Sequence, residues 1–411
     1  MTTAAVPADR HYITAWSAVS PYGVHSADYA RGIQADATHD TDTGDATLDT
    51  GTGTGTGDAT LGTGAGASQP GSRATGRIRS VPVPEGHAGE QACLVPGFEV
   101  RQVLGKAGTR TMDRATGLAV TAVRELFDEA SREQRPVPVG TGTGLVLGTT
   151  LGSAQSQHDF ALASFTEDKP YDVPAQFMPN VLMNCPAAAS AIRFGLKGPN
   201  TTLAGGRPTG LIALGYARRL LAAGRAERVL VGAVEDYSPS RSWIEHHVRD
   251  ADETPGPLGE GCALLLIEPG DGIPEGRTAL AELLAVDVRV DVDDALAGTT
   301  EACVRDALTA AGVDPSEVWA AVGGGLTGRI GHIENALLKR LFGTEAATRV
   351  TVHDRIGDTA AASAAFQLAA LLATARRTPA AHGRAAVVTS VDRDGSVACA
   401  VIRLLGEAEE R

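Results

Sequence analysis

The run Gly198-Pro199-Asn200-Thr201-Thr202-Leu203-Ala204-Gly205-Gly206-Arg207-Pro208-Thr209-Gly210-Leu211 carries the sharpest chemical signal in this 411-residue chain. It reads as a strand turning abruptly into a helix, a geometry that lifts one side chain into a pocket with its own backbone N–H beside it, as nucleophilic acyl transfer requires. The residue at the turn is Arg207. A guanidinium is permanently protonated and cannot attack a thioester, so the scaffold is present and its nucleophile is missing. A different chemistry, acyl transfer or hydrolysis through Asp358, His353 or Ser363, is the enzymatic alternative. No Ser/His/Asp or Cys/His spacing stands out to support it.

The five cysteines, Cys93, Cys185, Cys262, Cys303 and Cys399, lack CxxC spacing, which points to a reducing compartment and to no metal site. Cys185 and Cys262 sit among small apolar residues and read as core; Cys185, just before the helix at Pro186, is the one placed to face a pocket.

The residues around the elbow resemble the core of a β-ketoacyl synthase of the thiolase fold. Gly198-Pro199, the turn, Gly210-Leu211, the helix Ile212 to Ala223 and Gly224 through Glu235 carry the likeness. It extends through Ser20-Pro21-Tyr22-Gly23, Leu147 to Gly152, Pro179-Asn180, Phe194 to Lys197, Leu258 to Ala263, Glu334-Asn335-Ala336, Leu341-Phe342-Gly343 and Gly357-Asp358. The resemblance implies an α/β fold, a five-layer αβαβα sandwich of two pseudo-symmetric halves.

A condensing member of that family has a Cys at the elbow, a His in a His-Gly-Thr motif, a Lys, and a second His in a Gly-His motif. Matched position by position, these fall on Arg207, Gly323, His353 and Asp358. The glycine- and phenylalanine-rich gate loop becomes Thr389-Ser390-Val391-Asp392-Arg393-Asp394-Gly395. Condensation needs a thiolate and paired imidazoles to polarise the malonyl and thioester groups, and neither Arg nor Asp does those jobs. Arg207 and Asp358 fall where two catalytic groups of the family lie close together, which implies an ion pair filling the vacated site.

A ketosynthase-like chain with no nucleophile resembles the β subunit, or chain length factor, of a type II polyketide synthase. The resemblance then implies a heterodimer with a catalytic ketosynthase α subunit, no activity alone, and no bound cofactor. Phosphopantetheine of the acyl carrier protein would reach the complex through the partner. This chain would close the far end of an acyl tunnel, with Leu151, Gln155, His158 and Leu162 sharing one helical face after Gly148. The resemblance implies pairing through the strand after the elbow helix, Arg228 to Glu235, extending a central sheet across a two-fold axis, and so reads that apolar strand as an edge that needs covering. The elbow is Gly-Gly-Arg-Pro where aromatic-polyketide β subunits commonly resemble the α subunit with a Gln, which marks a divergent branch. A homodimeric scaffold that holds an acyl carrier without processing it is the binding-protein alternative.

The elements that must position these residues alternate as in an α/β protein. Tyr12 to Ala18, Gly144 to Gly148 and Arg228 to Val234 read as strands, and Arg114 to Ser131 as an amphipathic helix. Thr278 to Val292 and Trp319 to Gly323 are strands, and Thr299 to Ala311 and Ile333 to Leu341 helices. A strand Thr348 to His353, a helix Thr359 to Ala375 and a hairpin Ala385 to Leu405 complete the chain. Residues 1–268 and 269–411 form the two halves, with a linker from Pro269 to Arg277. Asp36 to Gly76 is Thr, Gly, Asp and Ala with almost no large apolar residue, and reads as a disordered insertion.

Composition narrows the function further. A formal charge of −13 argues against a nucleic-acid partner. The trio Arg218, Arg219 and Arg225 reads as a solvated helix face rather than a docking patch. No apolar run reaches the ~18 residues of a membrane span, and Met1 to Arg10 lacks the apolar core of a signal peptide, which places the chain in the cytoplasm.

Overall fold

The computed structural model describes residues 10–37, 80–273 and 277–406. Its strands are β1 (His11–Val19), β2 (Val81–Pro82), β3 (Gln91–Cys93), β4 (Thr143–Gly148), β5 (Asn200–Leu203), β6 (Arg228–Glu235), β7 (Leu258–Gly259), β8 (Gly261–Pro269), β9 (Ala281–Val290), β10 (Val318–Val322), β11 (Ala385–Val391) and β12 (Ser396–Leu404). Its helices are α1 (Ser26–Ala37), α2 (Val100–Leu104), α3 (Arg114–Arg132), α4 (Ala154–Thr166), α5 (Met178–Val181), α6 (Cys185–Phe194), α7 (Thr209–Ala222), α8 (Pro239–Val248), α9 (Leu296–Ala311), α10 (Gly328–Thr348), α11 (His353–Ile356) and α12 (Ser363–Arg376).

Nine strands join in the order β10-β11-β12-β9-β1-β8-β6-β4-β5. Side-chain alternation along them sorts the core into layers. Val229 and Val231 of β6 and Leu265 and Ile267 of β8 point to the centre, where α7 and α12 lie. Leu230, Leu264 and Leu266 point the opposite way, against α3 and α6. In the other block, Val388, Ala400 and Ile402 share that central layer. Val387, Cys399 and Val401 instead pack against α9 and α10. The result is helix, sheet, helix, sheet, helix. Because both faces of each block are covered, the strands are continuous apolar runs rather than half-polar ones. The blocks meet where His11, Tyr12 and Ile13 of β1 pair with Leu283, Glu282 and Ala281 of β9.

Local chemistry sets the helices that matter for the site. Asp113 caps α3 by accepting the Thr116 N–H at 2.8 Å. Helix α7 begins directly after Gly206, which takes a φ of +63°, and Pro208. Two expectations are corrected. Strand β6 is not a sheet edge: it pairs with β4 on one side and β8 on the other, and the edges are β10 and, beyond β4, the short β5. Residues 348–353 form no strand, because the Arg349 guanidinium takes the Trp319 carbonyl of β10 at 2.9 Å, and the chain enters α11 at His353. Of the segment Asp36 to Gly76, residues 36–37 close α1 and the remainder lies outside the described residues.

Candidate functional site

The elbow sits where β5 feeds α7, at the junction of the central helices and both sheet blocks. Arg207 at its tip is 3% exposed, and its Nη2 donates to Asp358 Oδ2. Burial alone would raise the Asp358 carboxyl; the Arg207 guanidinium and the neighbouring His353 outweigh it and hold the group well below the usual carboxylate range. Burial also opposes the Arg207 charge, and Asp358 more than restores it. The carboxylate's other oxygen accepts the Ala360 N–H at 2.9 Å, and its backbone carbonyl accepts from Gly259 N–H at 2.8 Å and from Arg241 Nη2 at 3.0 Å. Asp358 is therefore held independently of the pair, whereas Arg207 Nε and Nη1 are buried without other partners.

Two of the remaining positions lie close by. His353 lines a cavity of about 150 Å³ together with Asp358, and its Nδ1 is buried without a hydrogen-bond partner. Burial pushes the imidazole below its ordinary pKa. Gly325, at a φ of +77°, packs against the His353 side chain. Gly323 contributes only backbone: its carbonyl accepts from Gln367 Nε2. The buried Glu334 beside it accepts the Gly324 N–H at 2.8 Å and the Thr389 hydroxyl at 2.7 Å, and burial raises its carboxyl. Ser363 is hydrogen-bonded to Thr359 at 3.1 Å. Cys185 lies at the start of α6 with its thiol against Asn180 and Thr116, and burial raises it above its usual pKa.

The hairpin between β11 and β12 supplies residues that sequence reasoning misses. Asp392 Oδ2 accepts the Arg207 backbone N–H at 2.7 Å, and its other oxygen accepts Arg393 N–H at 2.6 Å. Arg393 forms a two-pronged bond to Glu253, at 2.7 and 2.8 Å, and reaches Glu245 at 3.3 Å. Burial would raise Glu253, but its bonds from Arg393 win and lower it. The sequence marks the loop around Asp392 as altered; it does not identify that residue's partners, since they come from remote segments. At the end of β6, Asp236 is 3% exposed and its Oδ1 has no partner; burial, opposed by Arg241, pushes it up to about 8.

A second, larger cavity of about 710 Å³ opens between α4 and α8. Leu151, Gln155 and His158 line it, with Ala154 and, from α8, Trp243 and Ile244. Leu162 does not: it is 47% exposed further along α4. Gln155 is held by α8, its Oε1 accepting from Ser240 N–H at 3.1 Å and from the Ser240 hydroxyl at 2.9 Å. Trp243 is pinned by its indole N–H to the Gly86 carbonyl at 2.8 Å. The α8 wall carries no signal in the sequence beyond an apolar pair in a charged segment. Phe165, Tyr171, Leu182 and Ile192 are also exposed. Among the described residues no helix is long and apolar enough to cross a membrane.

Comparison with known proteins is consistent with this arrangement. Residues 95–258 match the β-ketoacyl synthase N-terminal domain. The chain is 25% identical to the 3-oxoacyl-(acyl-carrier-protein) synthase 2 of Vibrio cholerae, over 43% of this chain and 46% of the relative. The match to the Vibrio harveyi enzyme spans 35% of that relative, so the chain covers less than half the length of these two. The Staphylococcus aureus enzyme is 25% identical over 67% of this chain and 72% of the relative. A type II polyketide synthase acyl-carrier protein complex with its ketosynthase superposes with a TM-score of 0.72 at 16% identity, and a β-ketoacyl synthase from Burkholderia phymatum with 0.73 at 18%. These two share the fold. The ishigamide ketosynthase/chain length factor superposes with a TM-score of 0.83 at 40% identity, covering 97% of this chain and 100% of the other. A likeness that close over the whole length, on a five-layer thiolase-like fold with the elbow in place, shows that the chain belongs to the β-ketoacyl synthase family.

Proposed function

We propose that this chain is a non-catalytic, chain-length-factor-type subunit of a type II polyketide synthase. In this reading it pairs with a catalytic ketosynthase and shapes the cavity that receives the growing acyl chain. One observation carries it: the elbow of a ketosynthase fold presents a buried Arg207 bonded to Asp358 where a nucleophile would stand. The whole-length likeness to a ketosynthase/chain length factor supports the same assignment. The carrier's phosphopantetheine is expected to be served by the partner's nucleophile.

The cavity between α4 and α8 is the element of this chain that measures length. At about 710 Å³ it falls in the range of pockets that enclose a small-molecule ligand. Leu151, Ala154, Trp243 and Ile244 give it apolar walls, and each added two-carbon unit must fit inside them or collide. The β5 edge and exposed apolar residues such as Phe165 and Ile192 are the surface the partner is expected to cover. Coexpression with a ketosynthase that has its Cys and both His, followed by size-exclusion chromatography and intact-mass analysis, tests the reading. A 1:1 complex with acyl adducts confined to the partner is expected. An acyl adduct on this chain, with turnover in the absence of any partner, would overturn it.

A further inference from the structure

The loss of a nucleophile explains why this chain holds no acyl group; it does not explain the chemistry of the hairpin facing the elbow. The Arg207 N–H is the backbone donor an elbow offers to a developing oxyanion. Here a carboxylate already occupies it, at 2.7 Å. The fit is close: a Cβ on Gly206 would overlap the Asp392 carboxylate, so the turn admits the acid only because residue 206 is glycine. Asp392 is itself fixed, with its N–H donated to the Ser396 carbonyl at 2.9 Å and its carbonyl accepting from Gly395 at 3.2 Å.

The next residue ties the hairpin to the segment of chain that covers the cleft. Arg393 grips Glu253, which is 8% exposed, through two parallel bonds. The 249–257 segment is stitched on its other side as well. Thr254 N–H donates to Thr327 Oγ1 at 2.9 Å, and Asp252 accepts the Arg329 N–H at the start of α10. Its residues Glu253 to Pro257 line the cavity that leads to His353 and Asp358, and that space is about 150 Å³. Pockets that take a drug-sized ligand run to roughly 300–1,000 Å³.

We infer that Asp392 is a built-in anion occupying the elbow amide, and that Arg393, clamped to Glu253, holds the 249–257 strap shut over the cleft. The cleft is then closed to acyl and pantetheine groups by a lock separate from the missing nucleophile. This rests on the non-catalytic reading above and adds a mechanism of closure to it. A reporter thiol tests it. The variant R207C/D358N removes the ion pair as a unit and places a thiol at the elbow, and the half-buried Cys185 serves as internal reference. With iodoacetamide as probe and peptide mass spectrometry as readout, the introduced elbow thiol should alkylate at least about tenfold more slowly than Cys185, the shielding expected of a site opened only by local unfolding. Adding D392G and R393A should raise the rate at the elbow about tenfold or more and leave Cys185 unchanged.

Labelling of the elbow thiol as fast as Cys185 with the hairpin intact, or no acceleration when it is altered, would overturn the lock. A second measurement needs no change at the pair. In D392A alone, hydrogen exchange of the amides at 204–207 should quicken by about tenfold relative to the unaltered chain, while α9 and α10 stay as they were. Unaltered exchange at the elbow would equally reject the proposal. Either failure would leave the α4–α8 cavity reading standing, since product length tests that separately.

Discussion

Replacing Asp358 with Ala leaves the Arg207 guanidinium buried without its bonded carboxylate. Removing one member of a buried pair costs roughly 3–5 kcal/mol, because the other charge is stranded out of water, whereas replacing both by apolar groups is often neutral or stabilising. The prediction is therefore a comparison: D358A should be less stable than R207M/D358L. With an unfolding entropy of about 2.1 cal/mol/K per residue, the whole chain gives about 0.9 kcal/mol/K, so the single variant should lose about 3–6 °C in calorimetry. The double variant should melt within about a degree of the unaltered protein, or above it. The pH dependence follows from the direction in which Asp358 is displaced. Asp358 titrates below its unfolded value, near 3.9, so the pair's contribution is fully present above that value and is lost only as pH falls through the lower folded value. The gap between single variant and parent should thus stay constant from about pH 5 to 8. A double variant that melts as low as D358A would refute the argument, because the cost would then belong to lost packing rather than to a stranded charge.

In the reconstituted synthase, A154F should shorten the product by filling the α4–α8 cavity, and L162W should leave it unchanged because Leu162 does not line that cavity. Product masses decide it, and shortening by L162W alone would reject the cavity as the measuring element. Asp236 predicts an opposite pH slope to Asp358. Its folded value, pushed up to about 8, lies above the unfolded one, so its carboxyl favours folding when protonated and disfavours it increasingly as pH rises through that interval. Each tenfold difference in proton affinity between the folded and unfolded chain is worth ~1.4 kcal/mol, so D236N should flatten the fall in stability between pH 5 and 8 by a few kcal/mol in urea titrations. Identical slopes for parent and variant would show that Asp236 is not the group responsible.

Much of this architecture is legible in the sequence because each element satisfies its own periodicity. The amphipathic stripe from Arg114 marks α3 to within a residue of its end at Arg132, and the apolar run from Arg228 marks β6. What periodicity does not encode is which strand lies alongside which. A strand covered on both sides and an edge awaiting a partner look alike in sequence, so β6 reads as the edge that β5 in fact provides. Val350 and Val352 alternate as a strand would, but both are buried without a ladder because a side chain claims the neighbouring carbonyl. At the site, spacing alone links nothing. Arg207 and Asp358 are 151 residues apart and Arg207 and Asp392 185 apart, so the first pair is reachable only through the family's pattern. The second, absent from that pattern, is not reachable at all. Trp243 is invisible for the same reason: its wall exists only where α8 crosses α4.

The shortness of β5 has a consequence for how the protein is made. Four residues, Asn200, Thr201, Thr202 and Leu203, form one border of a nine-stranded sheet, and apart from its shortness no lysine or proline among them blunts it. Unsatisfied peptide groups of that kind seek a mate, whether cognate or not. A surplus of this polypeptide over its companion should therefore self-associate and be cleared. On the heterodimeric reading proposed above, its abundance would then be capped by the supply of that companion, making matched synthesis of the two chains part of the folding problem rather than a convenience of regulation.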